Sequence, residues 1–141
     1  MQILRDYIMR HVGLPYRWGG DDPVLGYDCS GFVQECLASV GLDPPGDQTA
    51  QALFNHFEQT AEWNRAGCGT LLFFGESVTK ITHVGIMVDA YRYAEAGGGG
   101  SKTTSLEAAA AQNAFLRLRH KSYRKDMVAM IRPRYVTIGI I

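Results

Sequence analysis

The spacing of apolar residues changes near residue 70, and this change limits the folds open to the chain. Before that point apolar residues recur every three or four positions, as in Phe32, Val33 and Cys36. After it they form short runs separated by turn residues: "TLLFFG", "THVGIMVDA" and "YRYAEAG". Helices followed by hairpin-linked strands predict an α+β fold, with N-terminal helices packed on an antiparallel β-sheet or partial barrel. The 141 residues fit one domain, 1–141.

Caps and stop signals set the expected boundaries of these elements. The clearest helix covers residues 29–40, with Asp28 as its N-cap and Gly41 at its end. We also expect an amphipathic first helix ending at Gly13 and a helix capped by Asp47 that buries Leu53, Phe54 and Phe57. An alanine-rich helix is predicted at about 105–117. The closing segment "DMVAMIRPRYVTIGII" is predicted to return to strand, and the role of its "VTIGII" end stays open.

Charge and composition exclude several classes of partner. Fourteen acidic and 14 basic residues balance, so no net charge attracts the chain to nucleic acid or to anionic lipid. No apolar run reaches the length of a membrane span, and Arg5, Asp6 and Arg10 interrupt what would be the apolar part of a signal peptide. We therefore expect the chain to be made in the cytoplasm. Its three cysteines lack the spacing of a disulfide framework or a zinc site, so no metal is expected.

One cysteine stands where a turn ends and a helix begins, in "GYDCSGFV". The positive end of a helix dipole favours the nucleophilic thiolate, and the free amides of the first turn can hold an oxyanion. Free cysteines are also among the most buried and inert residues, so position alone leaves the role of Cys29 open. Cys36 lies on the apolar face of the helix and is expected in the core. Cys68 lies in a loop without a visible partner.

A nucleophilic thiol needs a base, and His83 is the best placed of the four histidines. It shares one face of a predicted strand with Gly85 and Met87, and Gly85 leaves room for another element or a substrate. A histidine in a strand is more often structural, so this reading also needs support. His11, His56 and His120 lie on polar helix faces or in loops and are expected to be solvated.

The next strand offers Glu95 as a residue to orient the histidine. A three-residue hairpin loop centred on Asp89 would place Glu95 directly opposite His83. A two-residue turn at 89–90 would instead pair His83 with Ala96 and direct Glu95 away. Otherwise Glu95 is an ordinary exposed carboxylate.

The segment "LPYRWGGDDPVLGYDCSGFVQECL", followed by "GTLLFF" and "THVGIMV", resembles the NlpC-type cell-wall peptidases, which are small papain-like cysteine hydrolases. The resemblance implies that Cys29 is the nucleophile and His83 the base. It also implies that Tyr16 lines the site, near the oxyanion region, and that Trp18 shapes the approach. Asp28 and Ser30 flank the thiol and are expected to act as caps.

Two positions depart from that family's pattern. The third polar residue there is most often histidine, where this chain has Glu95. A carboxylate can also hold an imidazole in one tautomer and stabilise its charged form. The strand that opens Gly-Asp-Leu in the family reads Gly69-Thr70-Leu71 here, which removes a surface carboxylate but not the chemistry.

The resemblance implies hydrolysis of the γ-D-glutamyl bond to a diamino acid in peptidoglycan stem peptides, through a thioester and without a cofactor. The "EAGGGGS" segment and the isolated catalytic domain resemble phage and prophage tail modules, which makes tail proteins expected partners. Two alternatives remain. One is a structural or wall-binding module of a phage tail. The other is an amidase or acyltransferase acting on lipid or small-molecule amides.

Overall fold

A computed structural model describes residues 1–17, 19–22, 26–99 and 102–135, without the side chains of residues 21, 22, 26 and 27. The predicted site residue Trp18 and the "VTIGII" segment lie outside the described residues. The described elements follow the order α1 (Gln2–His11), β1 (Asp21–Asp22), β2 (Gly26–Tyr27), α2 (Cys29–Ala38), α3 (Ala50–Phe57), β3 (Glu62–Trp63), β4 (Leu71–Ser77), β5 (Lys80–Met87), β6 (Arg92–Gly97), α4 (Leu106–Gln112), β7 (Phe115–His120) and β8 (Met127–Arg132).

Six of these strands form one antiparallel sheet in the order β3-β8-β4-β5-β6-β7. The strands β4, β5 and β6 are consecutive hairpin partners, as the short apolar runs predicted. The α+β fold with helices packed on an antiparallel sheet is confirmed. None of the helices in the described part of the chain has both the length and the apolar character to cross a membrane.

The two faces of the sheet bury different groups. One face packs against the three N-terminal helices through Phe73, Val84 and Ile86, which meet Phe32 and Phe54 in the main core. The opposite face carries a smaller cluster made by Leu72, Phe74, Met87 and Tyr93. Side chains alternate between the faces of a strand, so His83 and Glu95 belong to this second face.

The hairpin between β5 and β6 differs from both registers considered above. Ile86 pairs with Ala94 and Met87 with Tyr93, so the loop is centred on Ala90. Asp89 explains the shift, because its Oδ1 accepts hydrogen bonds from the amides of Tyr91 and Arg92, each 2.8 Å long. The prediction that Glu95 stands directly opposite His83 is therefore wrong. Glu95 stays on the face of His83 but lies two positions away from the residue opposite it.

Two other boundaries also need correction. The N-cap of α3 is Thr49, whose hydroxyl accepts from the amide of Ala52 at 3.1 Å, and not Asp47. The alanine-rich helix stops at Gln112, because Asn113 adopts the left-handed conformation that ends α4. The strand β7 follows at once and was missed. Its sequence, "FLRLRH", alternates apolar and basic residues, which is the signal that indicates a strand.

The start of α2 packs unusually tightly against the turn before it. A Cβ atom built on Gly31 would lie 2.2 Å from the carbonyl oxygen of Gly20 and 2.8 Å from Asp28 Oδ1. The first of these neighbours is backbone and cannot rotate away. Glycine at position 31 is therefore required for the helix that carries Cys29 to meet the preceding turn.

We expect Gly31→Ala to lower the free energy of unfolding by about 1–3 kcal/mol, through overpacking against Gly20. The direction of this change is informative, because alanine in place of glycine inside a helix ordinarily raises the free energy of unfolding by about 1 kcal/mol. Urea unfolding of the variant and wild type measures the difference. Ala38→Gly, on the exposed part of the same helix, is the control for helix propensity alone. A Gly31→Ala protein more stable than wild type would contradict the close approach.

Candidate active site

Cys29 is the first residue of α2, and Asp28 caps the helix as predicted. The Oδ1 atom of Asp28 accepts from the amide of Gly31 at 2.7 Å, and the hydroxyl of Ser30 lies 3.4 Å from the same oxygen. The first amides of a helix have no partner within it. The amide of Gly31 already donates to Asp28. The amides of Cys29 and Ser30 are therefore the ones placed to donate to an oxyanion beside the thiol.

Asp28 also binds the turn that precedes it. Gly19 donates its amide to Oδ2 at 2.9 Å, and the amide of Asp28 donates to the carbonyl of Gly20 at 3.1 Å. Asp28 and Ser30 therefore support the start of the helix, and neither is among the described residues that line the cavity at Cys29.

His83 and Glu95 form a buried ion pair next to the thiol. The imidazole Nε2 lies 3.2 Å from Glu95 Oε2, and their side chains are 11% and 6% exposed. Within the described residues, Nε2 has no well-aligned hydrogen bond, so the contact is an ion pair made by proximity. Because Nε2 faces the carboxylate, Nδ1 is the ring nitrogen left for Cys29.

The environment makes His83 a stronger base than an ordinary histidine. Burial lowers the pKa of His83, but the hydrogen bond with Cys29 and the carboxylate of Glu95 outweigh it and raise the pKa to about 9. Burial also opposes the charge of Glu95, yet the interaction with His83 holds the pKa of Glu95 below its usual value. The pair is thus ionised at neutral pH.

Tyr93 fills the space that the sequence predicted above Gly85. A Cβ atom on Gly85 would lie 2.6 Å from the Tyr93 ring, so the ring lies directly across that glycine. Tyr93 is fully buried, and burial together with the charge of Glu95 raises the pKa of its hydroxyl. The space over Gly85 is therefore filled by Tyr93 of strand β6 and is not open to a substrate.

These groups meet in a cavity of about 240 Å³. Its described lining residues are Tyr16, Cys29, Thr82, His83, Glu95, Ala96, Gly97, Gly98, Gly99 and Arg124. The structure thus brings together four of the predicted site residues: Cys29, His83, Glu95 and Tyr16. The location of the Tyr16 hydroxyl relative to an oxyanion stays a prediction. Within the described residues, no group of three His, Cys, Asp or Glu side chains could hold a metal ion.

Tyr16 is positioned by an extra backbone pairing at the edge of the sheet. The segment before it runs along β7, where Gly13 donates to Leu116 and Leu116 donates to Leu14, each at 2.7 Å. Tyr16 itself donates its amide to Ala114 at 2.9 Å. Its side chain is only 5% exposed. The aromatic wall of the cavity therefore depends on β7, the strand that sequence patterns missed.

The glycine run after Glu95 makes room for two side chains of the site. A Cβ atom on Gly97 would lie 2.4 Å from Glu95 Oε2, and one on Gly99 would lie 2.4 Å from the Tyr16 ring. Glycine at positions 97 and 99 is thus explained in this fold by the close approach of a carboxylate and of an aromatic ring.

Sequence reasoning missed or misplaced several residues. Thr82 and Arg124 line the cavity and were not singled out, and Arg124 lies in a loop with no periodic signal. His11 was expected to be solvated, but it is only 9% exposed. Its ring stacks on Tyr7 and its Nδ1 lies 2.8 Å from the Tyr7 carbonyl oxygen. His56 and His120 are exposed and Cys36 is fully buried, as predicted.

We expect Glu95→Gln to lower the pKa of His83 by about 1–3 units, because the nearby negative charge favours the imidazolium. Comparing the variants Cys29→Ala and Cys29→Ala/Glu95→Gln removes the contribution of the thiol from both. The His83 ring is titrated by NMR, with His83→Ala used to assign its signal. Glu76→Gln, which changes an exposed carboxylate, serves as control. An unchanged His83 pKa would show that Glu95 does not interact with the ring.

Gly97→Ala is expected to change the site without unfolding the protein. The new methyl group would collide with the carboxylate at the end of the Glu95 side chain. We expect this side chain to rotate away while the backbone stays in place. We expect the free energy of unfolding to fall by about 1–3 kcal/mol, because the displaced carboxylate no longer fully compensates the buried charge of His83. The same NMR titration should show a lower His83 pKa. A large loss of stability with an unchanged His83 pKa would contradict this placement of Glu95.

Sequence comparison with known proteins covers the part of the chain that contains Cys29, His83 and Glu95. The sequence profile of the NlpC/P60 family matches residues 13–120. The chain is 42% identical over 82 residues to the bifunctional muramidase/DL-endopeptidase CwlT of Bacillus subtilis, which covers 57% of this chain and 24% of that protein. It is 33% identical over 91 residues to the murein DD-endopeptidase MepH of Escherichia coli, covering 62% of this chain and 32% of that protein. The chain thus spans less than a third of the length of either relative.

The fold is shared with solved structures of much lower sequence identity. The P60 domain of antigen MAP1204 from M. avium subspecies paratuberculosis matches with a TM-score of 0.69 at 18% identity, covering 96% of this chain and 94% of that one. This likeness confirms the papain-like α+β fold expected from the motifs. Because the family profile covers more than half of the chain, including both Cys29 and His83, this protein belongs to the NlpC/P60 family.

Proposed function

We propose that this domain is a cysteine peptidase that hydrolyses an amide bond in the stem peptides of peptidoglycan, with Cys29, His83 and Glu95 as its catalytic groups. One observation carries the proposal. A thiol at the start of a helix shares a small cavity with a histidine whose pKa is raised to about 9 by that thiol and by a buried carboxylate. This is the arrangement that nucleophilic catalysis by cysteine requires.

The geometry supports a two-step acyl transfer. At neutral pH His83 carries a proton, and in the proposed mechanism Cys29 reacts as its thiolate. The thiolate attacks the amide carbonyl carbon, and the amides of Cys29 and Ser30 stabilise the negative oxygen that forms. His83 gives its proton to the departing amine, which leaves a thioester on Cys29. His83 then takes a proton from water as the water attacks the thioester, and the acid product and free thiol are released.

Glu95 keeps the ring of His83 in one orientation during both steps. Its carboxylate faces Nε2 and directs Nδ1 towards the thiol. It also stabilises the charged imidazolium that forms in the second step, as a carboxylate does in serine hydrolases. Glutamate therefore fills the place that is most often histidine in the family.

The proposed bond joins the γ-carboxyl of D-glutamate to the diamino acid of the stem. Support comes from the Bacillus subtilis relative, whose name is DL-endopeptidase. The Escherichia coli relative is named a DD-endopeptidase, so the test has to separate the two bonds. Delivery as part of a phage tail stays a prediction, because nothing in the described residues bears on it.

The alternative of an amidase for lipid amides requires an apolar groove at the thiol. The cavity at Cys29 is instead lined by His83, Glu95, Arg124 and a run of glycines. A second hollow of about 410 Å³ lies beside α2, and its described lining includes Glu35, Asp43 and Asp47. Tyr16 and Ala96 add apolar surface to the cavity at Cys29, but the described lining of neither cavity forms an extended apolar groove.

Mass spectrometry of purified peptidoglycan and of soluble stem peptides after incubation with the protein tests the proposal. We expect wild type to produce fragments ending in D-glutamate, and Cys29→Ala to reduce their rate of formation by about 10³-fold or more. Cys68→Ala is the matched control, because Cys68 lies outside the described lining of the cavity. It should retain the activity of wild type.

The remaining outcomes identify the alternatives. Fragments cut between two D-residues would replace the proposed bond with a DD bond. No cleavage, together with a Cys29 thiol that alkylates no faster than a model thiol, would favour a wall-binding module. Rapid alkylation without cleavage of any stem peptide would favour an amidase or acyltransferase with another substrate.

A further inference from the structure

Arg124 is a charged residue of the cavity that the proposed catalytic steps do not use. It lies in the loop between β7 and β8 and lines the cavity that holds Cys29, His83 and Glu95. Its side chain is 31% exposed, so a substrate can reach it. Arginine in a small cavity is suited to bind carboxylates, because its planar group offers several donors in a fixed arrangement.

The guanidinium of Arg124 is fixed in place from two sides. Its Nε donates to Asp126 Oδ1 at 2.8 Å and its Nη2 donates to Asp126 Oδ2 at 2.7 Å. The centre of the guanidinium lies 4.9 Å from the centre of the Phe74 ring, which is fully buried. The Phe74 ring in turn lies 5.5 Å from the ring of His83. The position of Arg124 is thus defined relative to the catalytic histidine through one rigid aromatic side chain.

One edge of the guanidinium remains available. Asp126 occupies Nε and one hydrogen of Nη2, and Nη1 has no acceptor among the described residues. The other charged side chains of the described lining, His83 and Glu95, are paired with each other. Asp126 is 42% exposed, so solvent screens its charge and leaves Arg124 able to attract an anion.

We propose that Arg124 binds a free carboxylate of the substrate beside the scissile amide. This inference rests on the proposed function and names the group that the site recognises. A γ-linked D-glutamate keeps its α-carboxylate free on the acyl side of the bond. A diaminopimelate residue carries a second carboxylate on the amine side, which lysine lacks. Both carboxylates belong to the two residues that the scissile bond joins, and Arg124 lines the same cavity as Cys29.

Arg124 also has a second conceivable effect, which the test has to separate. Its positive charge interacts with Glu95, so its loss could weaken catalysis without any contact to the substrate. That effect would lower the activity on all substrates by the same factor. Binding of a carboxylate would lower it only on substrates that carry the carboxylate.

The experiment measures kcat/KM on four soluble stem peptides. They combine a free or amidated D-glutamyl α-carboxylate with either diaminopimelate or lysine as the next residue. Wild type is compared with Arg124→Gln and with Arg119→Gln, which removes a nearby charge outside the described lining and stacked on Tyr123. Thermal unfolding of each variant verifies that the fold is retained.

We expect wild type to prefer one carboxylate-bearing substrate over its neutral counterpart by about 10- to 100-fold, the usual effect of a hydrogen bond between charged groups. Arg124→Gln should abolish this preference, and Arg119→Gln should preserve it. Loss of preference in the amidation pair assigns the glutamyl carboxylate, and loss in the diaminopimelate–lysine pair assigns the second one. Arg124→Lys should retain part of the preference, because it keeps the charge but not the planar group.

Two results would overturn the inference while leaving the proposed function intact. One is equal activity of wild type on all four peptides. The other is retention of the wild-type preference by Arg124→Gln, which would exclude Arg124 as the carboxylate-binding residue. If that retention comes with an equal fall in activity on all four peptides, the residue supports Glu95 instead. If wild type cleaves none of the peptides, the proposed function itself fails.

Discussion

The carboxylate of Asp28 makes the contact on which the whole site depends. One of its oxygens accepts the amide of Gly31 inside the helix, and the other accepts the amide of Gly19 in the turn before it. The same carboxylate thus fixes both the start of α2 and the path of the chain that leads to it. Gly31 allows this contact, because any larger residue would strike the carbonyl of Gly20. Cys29 lies between these two constraints, which explains why a capping aspartate and a glycine stand on either side of this cysteine.

The site also requires that His83 and Glu95 both stay ionised although they are buried. Burial alone would favour neutral His83 and neutral Glu95, and each compensates the other across 3.2 Å. Such a pair adds little to stability, since the loss of hydration offsets most of the attraction. Each residue nevertheless depends on the other for its charged form, because removal of one partner leaves the other charged, buried and uncompensated. The pair therefore sets the protonation of the site more than it stabilises the fold.

Local patterns in the sequence were enough to predict the α2 helix, its cap, the β4–β5–β6 strands and the shared face of His83 and Glu95. They failed where a side chain redirects the backbone. The Asp89 carboxylate shifts the hairpin by binding two amides beyond it, and Asn113 ends α4 early by adopting a left-handed conformation. The place of Arg124 in the cavity depends on the pairing of β4 with β8, which brings together residues as far apart in the sequence as Leu71 and Ile131. No local pattern encodes such a contact.

The proposed catalytic residues and the other residues of the cavity wall come from different parts of the chain. The proposed catalytic groups come from a helix start and two strands, whose positions are fixed by caps, glycines and backbone pairing. The walls of the cavity come from Tyr16, the loop of Arg124, the exposed Thr82 and the residues that follow Glu95. The two curated relatives are named for bonds of different stereochemistry, DL and DD, although both match the chain across more than half of its length. Under the proposed function, Cys29 and His83 act as nucleophile and base, and the wall residues contact the substrate around them. One fold can therefore serve different substrates when the walls differ.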